Sequence, residues 1–177
     1  VVRRRPFQLD PDAPPDPTPV AEVYARKFGG PERAAQIFGQ VTSAAAESGL
    51  DFHLERAVRA NTFDAHRLIW LAASSGEVGF DGVAEERLMA AYFSEGRNIA
   101  DPDVLLACGV DIGLDPARVA SMLAGDEGRS EVRADIELGV DRGITAVPSF
   151  VFAGEFVISG AQEPALFARI LGKLTAS

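Results

Sequence analysis

Apolar residues along this chain follow two periods. From Pro31 to Gly49, Ala34, Ile37, Phe38 and Val41 recur at three- and four-residue intervals, which predicts a helix with one buried face. Comparable spacing marks Ala65, Ile69, Trp70 and Ala73, then Leu88, Ala91 and Tyr92, then Val132, Ile136 and Val140, and finally Leu166, Phe167, Ile170, Leu171 and Leu174. The pattern changes between Ser149 and Ser159. There "SFVF" and "EFVIS", rich in β-branched and aromatic residues, flank Ala153-Gly154 and predict two short strands joined by a tight turn.

The punctuation agrees with these periods. Thr18-Pro19 is expected to open a helix that closes at Gly29-Gly30, and Pro31 suits a first helical turn, where its missing N–H costs nothing. Thr62 can cap the segment carrying Ala65, and another helix is expected from about Gly82 to Glu95. Asp101-Pro102 and Asp115-Pro116 each pair a capping carboxylate with a proline at the next position, and Gly113 and Gly125 end the helices so begun. A helix from about Ser130 to Arg142 stops at Gly143, and the last helix follows Pro164. At the start, "VVRRRPFQL" reads as a strand, and Asp10 to Pro19 as a proline-stiffened extended link. The order is strand, helical block, helix, strand, strand, helix, which is α/β with a helical insertion.

Pro148 stands where the first hairpin strand begins. Proline cannot donate to a sheet ladder, so it belongs at a strand's first residue, on an edge or in a bulge. On local grounds alone a trans, strand-initiating proline is the simpler expectation, because few X-Pro bonds are cis.

Charge narrows the partners. A net charge of -9 and an isoelectric point near 4.7 oppose non-specific binding to nucleic acid or to anionic membranes, and "RRR" at Arg3 to Arg5 is too short to reverse that. No apolar run approaches the length of a bilayer span, and no signal-like pattern opens the sequence, so a soluble, cytoplasmic protein is expected. Cys108 is the only cysteine, which precludes an intrachain disulfide, a CxxC pair or a cysteine-based zinc site within these 177 residues. Among Leu105, Leu106 and Val110 it is expected to pack as a small hydrophobe rather than react. His53 and His66 are too few to suggest a metal, and no metal site or tightly bound cofactor is expected.

The stretches "RPFQLDPDAPP", "ANTFDAHRLIWLA", "AYFSEGRNIAD" and "GITAVPSFVFAGEFVISGAQEPALF" resemble the DsbA-like thioredoxin-fold family, in particular its FrnE-like branch, across nearly the whole chain. The resemblance implies a thioredoxin fold with a large inserted all-helical domain. Residues 1–15 would form one strand plus linker, 16–127 the insertion, and 128–177 the closing helix, hairpin and helix. It also implies that Pro148 is cis, so that Val147 offers its backbone N–H and C=O to an extended peptide or to glutathione. The family's first strand, first helix and the CxxC between them do not occur here. Val1-Val2 are already apolar, and the expectation is a truncated start.

Three functions compete. The first is thiol-disulfide exchange, with Val147 and Pro148 holding the substrate and the CxxC in a missing N-terminal segment. The second is a glutathione-dependent transferase or isomerase resembling kappa-class glutathione transferases and 2-hydroxychromene-2-carboxylate isomerases, with Ser159 and Gly160 near the γ-glutamyl group; Ser159 serves equally well as a turn serine. The third is a non-catalytic binding protein on the same scaffold. "LDPDAP" favours the first. The expected partners are thiol or disulfide substrates, glutathione as the small-molecule candidate, and a second copy in a homodimer. Asn61 and His66 are open to two roles: roofing an active site, as the resemblance implies, or, for Asn61 and Thr62, capping a helix while His66 and Arg67 make polar contacts inside the insertion.

Overall fold

The computed structural model describes residues 2–14 and 16–175. Residues 2–9, expected as a strand, are not one. A strand persists only where a neighbour takes its N–H and C=O groups, and among the described residues no backbone pairs with this stretch. It lies extended along the body, held by side chains: Arg4 reaches Asp81 and Glu85, Arg5 pairs with Asp135, and the Phe7 carbonyl faces His66.

Thr18-Pro19 leads into the first helix as expected, with Pro19 as the N-cap residue, but it is also paired. It forms a two-residue strand, β1 (Thr18–Pro19), antiparallel to β2 (Val58–Arg59), and the Val20 N–H continues the contact to the Ala57 carbonyl at 2.9 Å. Helix α1 (Val20–Phe28) ends at Gly29, and α2 (Pro31–Glu47) returns alongside it. The Tyr24 ring joins the two, with its centre 5.2 Å from those of Phe28 and Phe38.

The core lies among α3 (Phe63–Ala73), α4 (Phe80–Met89), α5 (Pro102–Asp111) and α6 (Pro116–Ala124), where Leu68, Leu105, Cys108, Val119 and Met122 are fully buried. Asp101 and Asp115 cap α5 and α6 as their sequence pattern predicts, accepting from the N–H groups of Asp103 at 2.9 Å and Arg118 at 2.8 Å. The helix expected near Gly82 to Glu95 starts earlier, and past Met89 it widens into a π turn, Ala90–Ser94, marked by the bond from Glu95 N–H to the Ala90 carbonyl.

Helix α7 (Arg129–Asp141) leads to the hairpin β3 (Ser149–Phe152) and β4 (Phe156–Ser159), followed by α8 (Pro164–Thr175). Ala153 and Gly154 at the tip both have positive φ, 52° and 78°, a turn whose twist matches that of paired strands. Phe150 and Phe152, two apart and so on one face, meet Phe167 of α8 at centroid distances of 4.7 and 6.2 Å.

Candidate functional site

The open end of the hairpin gathers the residues singled out from sequence. The register sets Ser149 opposite Ser159, so the residues just before β3 and just after β4 stand side by side. The Gly160 N–H donates to the Pro148 carbonyl at 2.8 Å, and the Ser149 and Ser159 hydroxyls lie 3.3 Å apart. Ser149 Oγ also donates to the Ala146 carbonyl at 2.7 Å, and the Ser159 carbonyl accepts from Gln162 at 3.3 Å. Gly160 adopts φ +82°, a conformation that disfavours any residue with a Cβ. Val147, Pro148, Ser159 and Gly160 thus form one cluster. Ser149 belongs to it too, and counting outward from the Ala153-Gly154 turn would have identified it.

Val147 is the available member. The Val147–Pro148 peptide is cis, Val147 is 47% exposed, and among the described residues its N–H and C=O have no hydrogen-bond partner. One donor and one acceptor on an exposed segment leading into a strand can pair with an extended backbone, whatever its side chains. Ser159 and Gly160 have their polar groups turned toward the hairpin itself.

The residues around α3 are engaged with the body. Asn61 Oδ1 accepts from the Phe63 N–H and from Gln8 Nε2, both at 3.0 Å, while its Nδ2 donates to the Pro11 carbonyl at 3.1 Å. Asn61 therefore caps α3, and Thr62, expected to share that role, makes no side-chain cap. His66 Nε2 lies 3.2 Å from the Phe7 carbonyl, and burial lowers its pKa against the opposing effect of that bond. Arg67 is completely buried, with donors on the carbonyls of Met122, Gly125 and Glu127 and on the Asp64 carboxylate. The Arg59 guanidinium, hydrogen-bonded to Asp10, holds that carboxyl below its usual pKa. Burial pushes the Cys108 thiol up, outweighing Arg87 and Arg97 nearby, which leaves it protonated and inert.

A helical block followed by a helix, a proline-led hairpin and a covering helix defines a mixed α/β protein of thioredoxin type with a helical insertion. Residues 1–172 match the model of the DSBA-like thioredoxin domain, and the chain belongs to that family. Its structure is similar to that of a protein described as a probable DsbA oxidoreductase from Streptomyces coelicolor, with a TM-score of 0.88 and 30% identity, covering 98% of this chain and 74% of that one. It also resembles a protein assigned as a disulfide isomerase from Nitrosomonas europaea, with a TM-score of 0.65 over 82% of this chain and 75% of that one; at 18% identity this likeness speaks for the fold alone. The uncharacterized protein YwbO of Bacillus subtilis is 33% identical over 86 residues, which amounts to 48% of this chain and 42% of YwbO. Among the described residues no helix is long and apolar enough to cross a membrane.

Proposed function

We propose that this chain holds the substrate in a thiol-disulfide oxidoreductase, with Val147 pairing to the backbone of an extended, thiol- or disulfide-bearing peptide beside Pro148. The observation that carries the reading is the exposed Val147, whose N–H and C=O are both unclaimed at the mouth of a proline-led hairpin in a DSBA-like domain. Exchange requires a thiolate that attacks one sulfur of a disulfide, forms a mixed disulfide and expels the other sulfur as thiolate, after which a second thiol resolves the intermediate. Cys108, single and buried, supplies neither thiol. The reading therefore assigns the redox pair to a CxxC outside these 177 residues.

The glutathione-dependent reading has less support, because the Gly160 N–H is spent on Pro148 and the Ser159 hydroxyl faces Ser149. The test is an NMR titration of the amide-assigned chain with a disulfide-bearing extended peptide and, separately, with oxidised glutathione. A saturable shift of the Val147 amide by the peptide supports the proposal. Shifts confined to Ser159 and Gly160 and produced only by glutathione would replace it with the second reading, and no shift at Val147 from either ligand would overturn it.

A further inference from the structure

We infer that Phe63, Arg129 and Arg133 form a binding site for an oxyanion, a carboxylate or phosphate group, where α7 crosses the start of α3. Arg129 and Arg133 are one helical turn apart on the same face of α7, and each guanidinium carbon lies 5.7 Å from the centre of the Phe63 ring. A guanidinium against an aromatic ring is partly desolvated and held in orientation while its N–H edge stays available, which suits it to a planar or tetrahedral oxyanion. Two such groups converge here on one ring.

Neither guanidinium donates a side-chain hydrogen bond among the described residues, although Arg129 is ion-paired. Arg133 is exposed, and among the described residues no carboxylate lies within ion-pair distance of it. Arg129 Nε is buried and is the one such side-chain polar atom among the described residues that has no hydrogen-bond partner. The Asp126 carboxylate stands 3.2 Å from it, an ion pair outside hydrogen-bonding geometry whose acidic side chain is 98% exposed and can swing away. Asp64 lies 4.0 Å from Arg129 and is already bonded to Arg67 at 2.9 Å. The guanidinium groups of Arg67, Arg129 and Arg133 thus face the Asp64 and Asp126 carboxylates, with Glu127 nearby but paired to Arg118, a positive corner on a chain of net charge -9. The α7 N-terminus adds to it: Gly128 has no side chain with which to cap the first turn, although the Arg129 N–H is taken by the Asp126 carbonyl at 3.1 Å. Glu131, in the same turn, is exposed and bonded to the Ser130 hydroxyl at 2.9 Å.

The site is independent of the hairpin and of thiol chemistry. It is tested by titrating the chain with inorganic phosphate and, separately, with acetate, at ionic strength held constant with sodium chloride, while following the Arg129 Nε–H resonance and the melting temperature. Saturable movement of that resonance and a rising melting temperature are expected. Arg133→Gln should weaken binding about tenfold or more, the loss of one charge-assisted contact, and Arg133→Lys should restore only part of it. Arg26→Gln, which removes an exposed guanidinium in the last turn of α1, should leave binding unchanged. Tighter binding of phosphate assigns the site to phosphate groups, and tighter binding of acetate assigns it to carboxylates. Flat titrations with both, or an Arg133→Gln protein that saturates like the wild type, would reduce the cluster to a clamp of α7 on α3 and overturn the inference.

Discussion

Arg67 Nε donates to the Glu127 main-chain carbonyl at 2.9 Å from a side chain with no exposed surface. Its Nη2 also reaches the Gly125 carbonyl at 2.7 Å and the Met122 carbonyl, while Nη1 bonds Asp64 at 2.9 Å. One cation therefore satisfies the carbonyls that end α6 and turn the chain into α7. Arg67→Met would fill similar space but leave the Gly125 and Glu127 carbonyls without this donor, while the Met122 carbonyl keeps the Gly125 N–H. It should cost about 3–5 kcal/mol of stability in urea unfolding. A loss below about 1 kcal/mol would mean that water takes over the bonds.

His66 makes stability depend on pH in a defined window. Burial lowers its folded pKa below the 6.5 of a free histidine, so the native state prefers the neutral ring. Its contribution is fully present above pH 6.5 and is lost as the pH falls through 6.5 toward the lower folded value, because the unfolded chain takes up the proton first. Arg4, Arg5, Asp81, Glu85 and Asp135 line the same cavity of about 140 Å³ and are ion-paired with one another. Unfolding free energies measured between pH 7.5 and 5 should decline in the wild type and stay flatter in His66→Gln. Equal slopes would remove His66 as the cause.

Gly128 is required for two reasons. It sits at φ +75°, and a Cβ there would come within 2.5 Å of the Trp70 ring. Gly128→Ala should lose about 3 kcal/mol, combining left-handed strain with overpacking. Gly113, at φ +93° with nothing within 4 Å of a built Cβ, should lose only about 1 kcal/mol on the same change. Equal losses in thermal melts would show that Trp70 moves aside freely.

Phe167 couples the hairpin to α8 through Phe150 and Phe152. Phe167→Ala should speed amide exchange at Phe150 through Val157 about tenfold or more while exchange in α3 and α5 changes little, because the opening is local. A uniform change across the chain would instead mean that the hairpin and the helical core unfold together.

Most helices were legible from sequence because their causes are local: apolar spacing of three and four, Asp-Pro starts at Asp101 and Asp115, and glycines just beyond the ends. The hairpin was legible for the same reason. A turn at Ala153-Gly154 sets the register, and the register alone brings Pro148 and Gly160 together. The pairing of Thr18-Pro19 with Val58-Arg59 was not legible because the partner is about forty residues distant in the chain.

What the sequence by itself determined, then, is most elements whose hydrogen bonds close within a few residues, the π turn Ala90–Ser94 apart, along with the proline-led cluster at the hairpin's open end. Only the tertiary structure decided the rest. Residues 2–9 have strand-like composition yet lie as a strap, because a strand is defined by its neighbour. Asn61, His66 and Arg67 acquired their roles from Pro11, Phe7 and Glu127, and the Phe63 ring met two arginines of α7, because such contacts join residues at least 50 positions apart and no local pattern encodes them.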